Sequence, residues 1–151
     1  MIMPSFHPYL HFNGNAEEAF KFYQSVFGGE FTMMQRFGDV PPEAAKGLSD
    51  TEKNKIMHIA LPIGKEGMLM GGDTPEKMGK VTFGTNFSIS VDTKSEQETK
   101  KIFDGLSADG KVIMPLEKTF WNAYFGMCVD KFGVSWMVNY SYDQGSKLVN
   151  V

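Results

Sequence analysis

The chain of 151 residues contains one cysteine, Cys128, and one arginine, Arg36. A single cysteine rules out an internal disulfide framework and fits a reducing compartment. A single arginine removes the planar, bidentate donor that phosphate and phosphonate sites favour. The remaining basic residues are scattered, with no run longer than Lys100-Lys101, and the formal net charge is −3. That balance argues against a nucleic-acid partner. No apolar stretch approaches the ~20 residues needed to span a bilayer, so no membrane partner is expected. The opening Met1-Ile2-Met3-Pro4-Ser5 has no basic region followed by an apolar run, so no signal peptide is expected and a cytoplasmic location is.

What is abundant is apolar. Hydrophobic residues make up 42% of the chain, with 13 phenylalanines and 11 methionines, enough for a substantial core. Methionine fills irregular gaps and also lines adaptable cavities.

Two amphipathic helices are legible. Ala16, Ala19, Phe20, Tyr23, Val26 and Phe27 form a stripe at i, i+3, i+4 and i+7. Asn15 and Glu18 have capping-box spacing before it, and Gly28-Gly29 supplies a left-handed stop after it. Thr99, Ile102, Phe103 and Leu106 repeat the stripe between Ser95 and Ala108, with Ser95 and Glu98 as the capping pair. Short strands are expected before each helix, at 9–12 and 86–91. Three more follow each helix, at 31–37, 56–63 and 68–71, then at 111–116, 125–130 and 136–140. The order strand, helix, three strands occurs twice, with a break near 74–85. The polar stretch 39–55 carries Pro41-Pro42, and one helical turn is expected there at 43–48.

Alternation along the strands sorts the faces. Leu10 and Phe12 oppose Tyr9 and His11. Phe87, Ile89 and Val91 oppose Asn86, Ser88 and Ser90. Trp136, Val138 and Tyr140 oppose Ser135, Met137 and Asn139. The apolar faces should meet the helices. The opposite faces mix Tyr, His, Ser, Asn and Met with little charge, which is the make-up of a pocket wall. The expected ligand pocket comprises Tyr9, His11, His58, Asn86, Ser88, Trp121, Phe125, Met137 and Asn139. His58, with an ordinary pKa of ~6.5, is the candidate for general base or orienting donor. Cys128 reads as an inert buried thiol. Asp73 reads as a turn residue after two glycines, and Asp130 with Gly133 as a structural strand-to-strand turn.

Pro8 to Glu30, Met114-Pro115-Leu116, Thr119-Phe120-Trp121, Phe125-Gly126-Met127 and Asp130 to Tyr140, together with His58, resemble PhnB-like proteins. These belong to the vicinal oxygen chelate superfamily, with glyoxalase I, bleomycin-resistance proteins and extradiol dioxygenases. The resemblance spans about 8–142. It implies an α+β fold in which two βαβββ modules, about 6–74 and 84–142, form a cupped mixed sheet with helices outside. It implies one such domain over 1–151 with a tail at 143–151, usually as a homodimer. Superfamily enzymes hold a divalent metal on first and last strands of the modules. The matching positions here fall near Pro8, Asn86 and Met137, with His7 and His11 nearby, and give no ligand set at useful spacing. The expectation is therefore no metal and no cofactor, and a partly apolar small molecule as ligand. A divalent-metal-dependent glyoxalase- or dioxygenase-type enzyme and a non-enzymatic sequestration protein are the alternatives. The family often carries a methyltransferase label, but no glycine-rich strand-to-helix turn for a methyl donor is present.

Overall fold

A computed structural model describes residues 3–143. The chain divides into two compact units, Met1–Thr82 and Phe83–Val151. The first contains β1 (Tyr9–Phe12), α1 (Ala16–Phe27), β2 (Met33–Arg36), α2 (Asp50–Lys53), β3 (Ile56–Ile63) and β4 (Gly67–Asp73). Its sheet has the order β1-β4-β3-β2, with β1 parallel to β4 and the other pairs antiparallel. The second contains β5 (Ile89–Asp92), α3 (Glu96–Ser107), β6 (Lys111–Lys118), β7 (Ala123–Val129) and β8 (Ser135–Ser141). Its sheet repeats the topology as β5-β8-β7-β6. This is the α+β fold of two βαβββ repeats.

In the first unit the helix face of the sheet is dry. Ala16, Ala19, Phe20 and Tyr23 of α1 are buried, as are Leu10, Phe12, Ile59, Leu61 and Leu69 beneath them. Phe20 lies over Gly71. A Cβ built there would come within 2.8 Å of the Phe20 ring and 2.5 Å of the Leu10 carbonyl, so the close packing of helix on strand requires glycine. Gly126 has the same role in the second unit, where a Cβ would come within 2.8 Å of Phe103 of α3. The α3 face buries Thr99, Phe103 and Leu106 against Cys128, Trp136 and Val138.

Local signals fared unevenly. Ser95 caps α3 as the spacing predicts, accepting from the Glu98 N–H at 3.0 Å. Asn15 precedes α1 but its side chain makes no cap bond. A carboxylate distant in sequence, Asp73, accepts from the Ala16 N–H instead and makes the local cap redundant. The helical turn in the 39–55 stretch falls at Asp50–Lys53, where Ser49 and Glu52 form a full capping box, while 42–47 forms turns only. The strand expected over 86–91 starts at Ile89. Asn86 lies in a bend, Ser88 precedes the ladder, and Phe87 is exposed rather than packed on α3. Pairing explains this: β8 offers partners only to Ile89–Asp92, and a strand without a ladder leaves its backbone to water. Of the tail expected over 143–151, all but Asp143 lies outside the described residues.

Candidate functional site

In the first unit, the sheet face turned away from α1 carries Tyr9 and His11 from β1, Met70 and Gly72 from β4, His58 and Ala60 from β3, and Met33 and Gln35 from β2. The register Tyr9↔Met70, His11↔Gly72, Ala60↔Met70, Met33↔Ala60 and Gln35↔His58 places them together. No charged side chain is among them. Alternation in each strand creates the face, and tertiary pairing brings the three rings into one group.

The Tyr9 ring is 5.0 Å from that of His11 and 5.5 Å from that of His58, centroid to centroid. The Tyr9 hydroxyl donates to the Met57 carbonyl at 3.2 Å and lies 3.3 Å from His58 Nδ1. A phenol has one proton. With that proton directed at Met57, the second bond requires His58 Nδ1–H as donor, and in the neutral ring that tautomer carries its lone pair on Nε2. Burial pushes the Tyr9 phenol up from its ordinary value, so it stays a neutral donor. Gly72 makes the arrangement possible. A Cβ there would lie 2.5 Å from the Met57 carbonyl and 3.1 Å from the Tyr9 hydroxyl. Sequence reading named the three rings, but the floor beneath them was missed. A glycine pair in a strand does not say which neighbour needs the space.

In the second unit, Phe125, Met137 and Asn139 share the face turned away from α3, through the pairs Phe125↔Asn139 and Met127↔Met137. Ser90, paired with Met137, lies on this face as expected, whereas Ser88 precedes the strand. Asn139 Nδ2 is 3.5 Å from an Asp92 carboxylate oxygen. Trp121 is half exposed in the β6–β7 connection, its ring 5.8 Å from Phe125. Asn86 is exposed in its bend and does not join a strand face.

Other chemistry-bearing groups are structural. Cys128 is buried, and burial followed by the nearby Asp130 charge pushes its thiol up to about 11, so it is neither nucleophile nor ligand at neutral pH. A cleft of about 380 Å³ in the first unit is lined by Glu17, Arg36, Asn54, Lys55 and Asp73. Arg36 forms a bidentate pair with Glu17, both bonds 2.9 Å, and also donates to the Asn54 carbonyl. The only arginine is therefore a clamp between α1 and β2.

That clamp predicts a pH effect. Hydrogen bonds from Arg36 first, then from Lys21, lower the Glu17 carboxyl from 4.5 to about 2. The folded value lies below the unfolded one, so the pair adds stability above about pH 4.5 and loses it as pH falls towards 2. The pair is about one-third exposed and screened by solvent, so its expected worth is about 1 kcal/mol. The stability gap between wild type and Arg36→Gln, measured by urea unfolding, should be present at pH 6 and mostly closed by pH 2.5. A gap independent of pH contradicts the assignment.

Among the described residues, no three of His, Cys, Asp or Glu come together in a way that could hold a metal ion. No helix among them is long and apolar enough to cross a membrane.

Comparison with known proteins agrees with this architecture. Residues 4–139 match the family model described as 3-demethylubiquinone-9 3-methyltransferase. Protein YjdN of Escherichia coli K12 is 33% identical over 138 residues, covering 87% of this chain and 92% of YjdN. The structure of protein PA1353 from Pseudomonas aeruginosa is 40% identical, with a TM-score of 0.81 over 92% of this chain and 98% of that one. The PhnB protein of Bacillus cereus is 27% identical, with a TM-score of 0.73 over 91% and 100% of the two chains. A glyoxalase/bleomycin resistance protein/dioxygenase domain from Frankia shares 8% identity and a TM-score of 0.66 over 93% and 99%, a likeness of fold alone.

Proposed function

Because the chain belongs to the 3-demethylubiquinone-9 3-methyltransferase family, in its PhnB-like branch, we propose that it binds a small, partly apolar molecule through the open faces of its sheets, without a metal. The observation that carries this reading is the Tyr9–His11–His58 group on a face without charge. Such a face is apolar enough to bind carbon and polar enough to orient it. His58 Nε2 is the acceptor for a ligand O–H or N–H and the candidate general base if the ligand is turned over. Trp121 and Phe125, with Met137 and Asn139, are the matching ligand-facing residues of the second unit.

Methyl transfer is not part of the proposal. The turn from β1 into α1 holds one glycine, Gly14, and the α1 N-terminus is already filled by the Asp73 carboxylate, so no donor nucleotide is cradled there. Gly71-Gly72 lie within β4 and lead to a short 3₁₀ turn rather than a helix N-terminus.

The test uses a panel of small phenols, enols and aromatic carboxylic acids. Trp136 is buried and Trp121 half exposed, so a blue shift in fluorescence reports on Trp121. For a compound that binds, Tyr9→Phe should weaken affinity about fivefold, because it removes the hydroxyl that orients His58 through Nδ1. Trp121→Ala should weaken it about tenfold or more. Both variants should melt like wild type. Unchanged affinity in both would overturn the site. Product analysis by mass spectrometry then separates turnover from sequestration, and elemental analysis of protein purified without chelator checks for a metal.

A further inference from the structure

Strand β2 adds one polar side chain to the ring-bearing face of the first unit, and sequence reading passed over it. Gln35 pairs with His58 across the β2–β3 ladder. The ladder slips at the next step, where Arg36 pairs with Ile56 and Met57 has no counterpart. A bulge of this kind re-aims side chains, and bulges gather beside functional sites. Here it breaks the alternation of β3. Ile56 is fully buried, whereas His58, two residues on, stands with Gln35 on the face that carries Tyr9.

Gln35 is half-buried, and its amide makes no hydrogen bond to any described residue. Among the described residues no buried side-chain polar atom lacks a partner, so the unpaired amide reaches open space. Opposed Cβ atoms in a ladder lie about 4.5–5.5 Å apart. His58 and Gln35 thus present three groups side by side. His58 Nε2 accepts, the Gln35 amide N–H donates and the Gln35 carbonyl accepts. The neighbouring row, Tyr9, Met70, Ala60 and Met33, is apolar except for a hydroxyl already bonded to Met57. With no charged side chain on the face, nothing offsets the desolvation of an ionised ligand. The occupant that fits is neutral, flat enough to lie on the methionines, and carries a donor and an acceptor on adjacent atoms. A lactam meets all three conditions, because its N–H and C=O form a reciprocal pair with a carboxamide. We propose that Gln35 selects a neutral lactam-type ligand, with the ring over Met70 and Met33 and with His58 Nε2 free to accept a further N–H or O–H. This rests on the reading of the face as a ligand site.

The probe is carbostyril, a lactam fused to a benzene ring, titrated calorimetrically into the full chain. N-methylcarbostyril keeps the ring and the carbonyl but has no N–H. Wild type should bind carbostyril at least about fivefold more tightly than the methylated probe, as the loss of one hydrogen bond requires. Gln35→Met, close in length, should weaken carbostyril about tenfold and reduce the preference to less than about twofold, the signature of a direct coupling. Gln35→Glu keeps the acceptor, removes the donor and sets a carboxylate against the lactam oxygen, so it should also weaken carbostyril about tenfold. Both variants should melt like wild type. A preference that survives Gln35→Met, or no binding of carbostyril at all, would overturn the proposal. If Tyr9→Phe weakens carbostyril while both Gln35 variants bind it like wild type, the face stands as a ligand site and this proposal alone falls. Indifference to all three substitutions would overturn both.

Discussion

Replacing Asp73 with alanine is expected to lower the stability of the chain by about 4 kcal/mol, close to the upper end of what a single substitution does. Asp73 is a buried carboxylate at the end of β4. One of its oxygens accepts from the Gly14 N–H at 2.9 Å and the Ala16 N–H at 3.0 Å, and the other accepts from the Ile56 N–H at 2.9 Å. It thus joins the turn after β1, the first turn of α1 and the first residue of β3. Alanine would strand these donors, two of them in bonds out of reach of water, and each unsatisfied buried donor costs about 1–3 kcal/mol. The positive end of α1 would also lose its counter-charge. Asparagine keeps one acceptor oxygen and turns an amide N–H₂ towards the other donors, so Asp73→Asn should lose about half as much. Urea unfolding at pH 7 measures both. A loss below about 1 kcal/mol in the alanine variant would show that water replaces the carboxylate.

The second large effect is expected at Asp130→Ala, about 3–4 kcal/mol by the same reasoning. Asp130 is buried at the start of the turn between β7 and β8. One oxygen accepts from the Phe132 and Val134 N–H groups at 2.8 and 3.0 Å, and the other from the Trp136 indole N–H at 2.8 Å. The turn also needs Gly133, whose φ of 97° is strained for other residues. The indole bond ties a local turn to the largest side chain of the core. Asp130→Ala should therefore diminish the near-ultraviolet circular dichroism of Trp136 as well as the unfolding midpoint. A lower midpoint with an unchanged aromatic spectrum would mean that the turn matters and the indole bond does not.

These two carboxylates divide what could be read in advance from what could not. Asp130 makes its bonds within six residues, and the run Asp130-Lys131-Phe132-Gly133 is legible as a tight turn. Asp73 makes its bonds 17 to 59 residues away, and nothing near Gly71-Gly72-Asp73 tells it from an ordinary turn residue. The same division holds for the helix starts. Ser95 and Glu98 satisfy α3 locally and were legible, whereas Asn15 and Glu18 have the same spacing and were overridden by a distant carboxylate. Arg36, the scarcest residue in the chain, became half of a clamp with Glu17 because β2 lies beside the start of α1, and spacing alone cannot report that.

The sequence by itself determined the twofold strand-helix-three-strand order, the two helix stripes, and which residues of each strand share a face. Those are properties of period 3.6 and period 2, carried by neighbours along the chain. Its single cysteine also excludes an internal disulfide. Only the tertiary structure decided where β5 begins, why Gly71 and Gly72 must be glycine, and that Tyr9, His11 and His58 meet over one of them. Those outcomes depend on strand register and on which distant groups come within about 3 Å, and hydrogen bonding and close packing at that range settle them after the chain has folded.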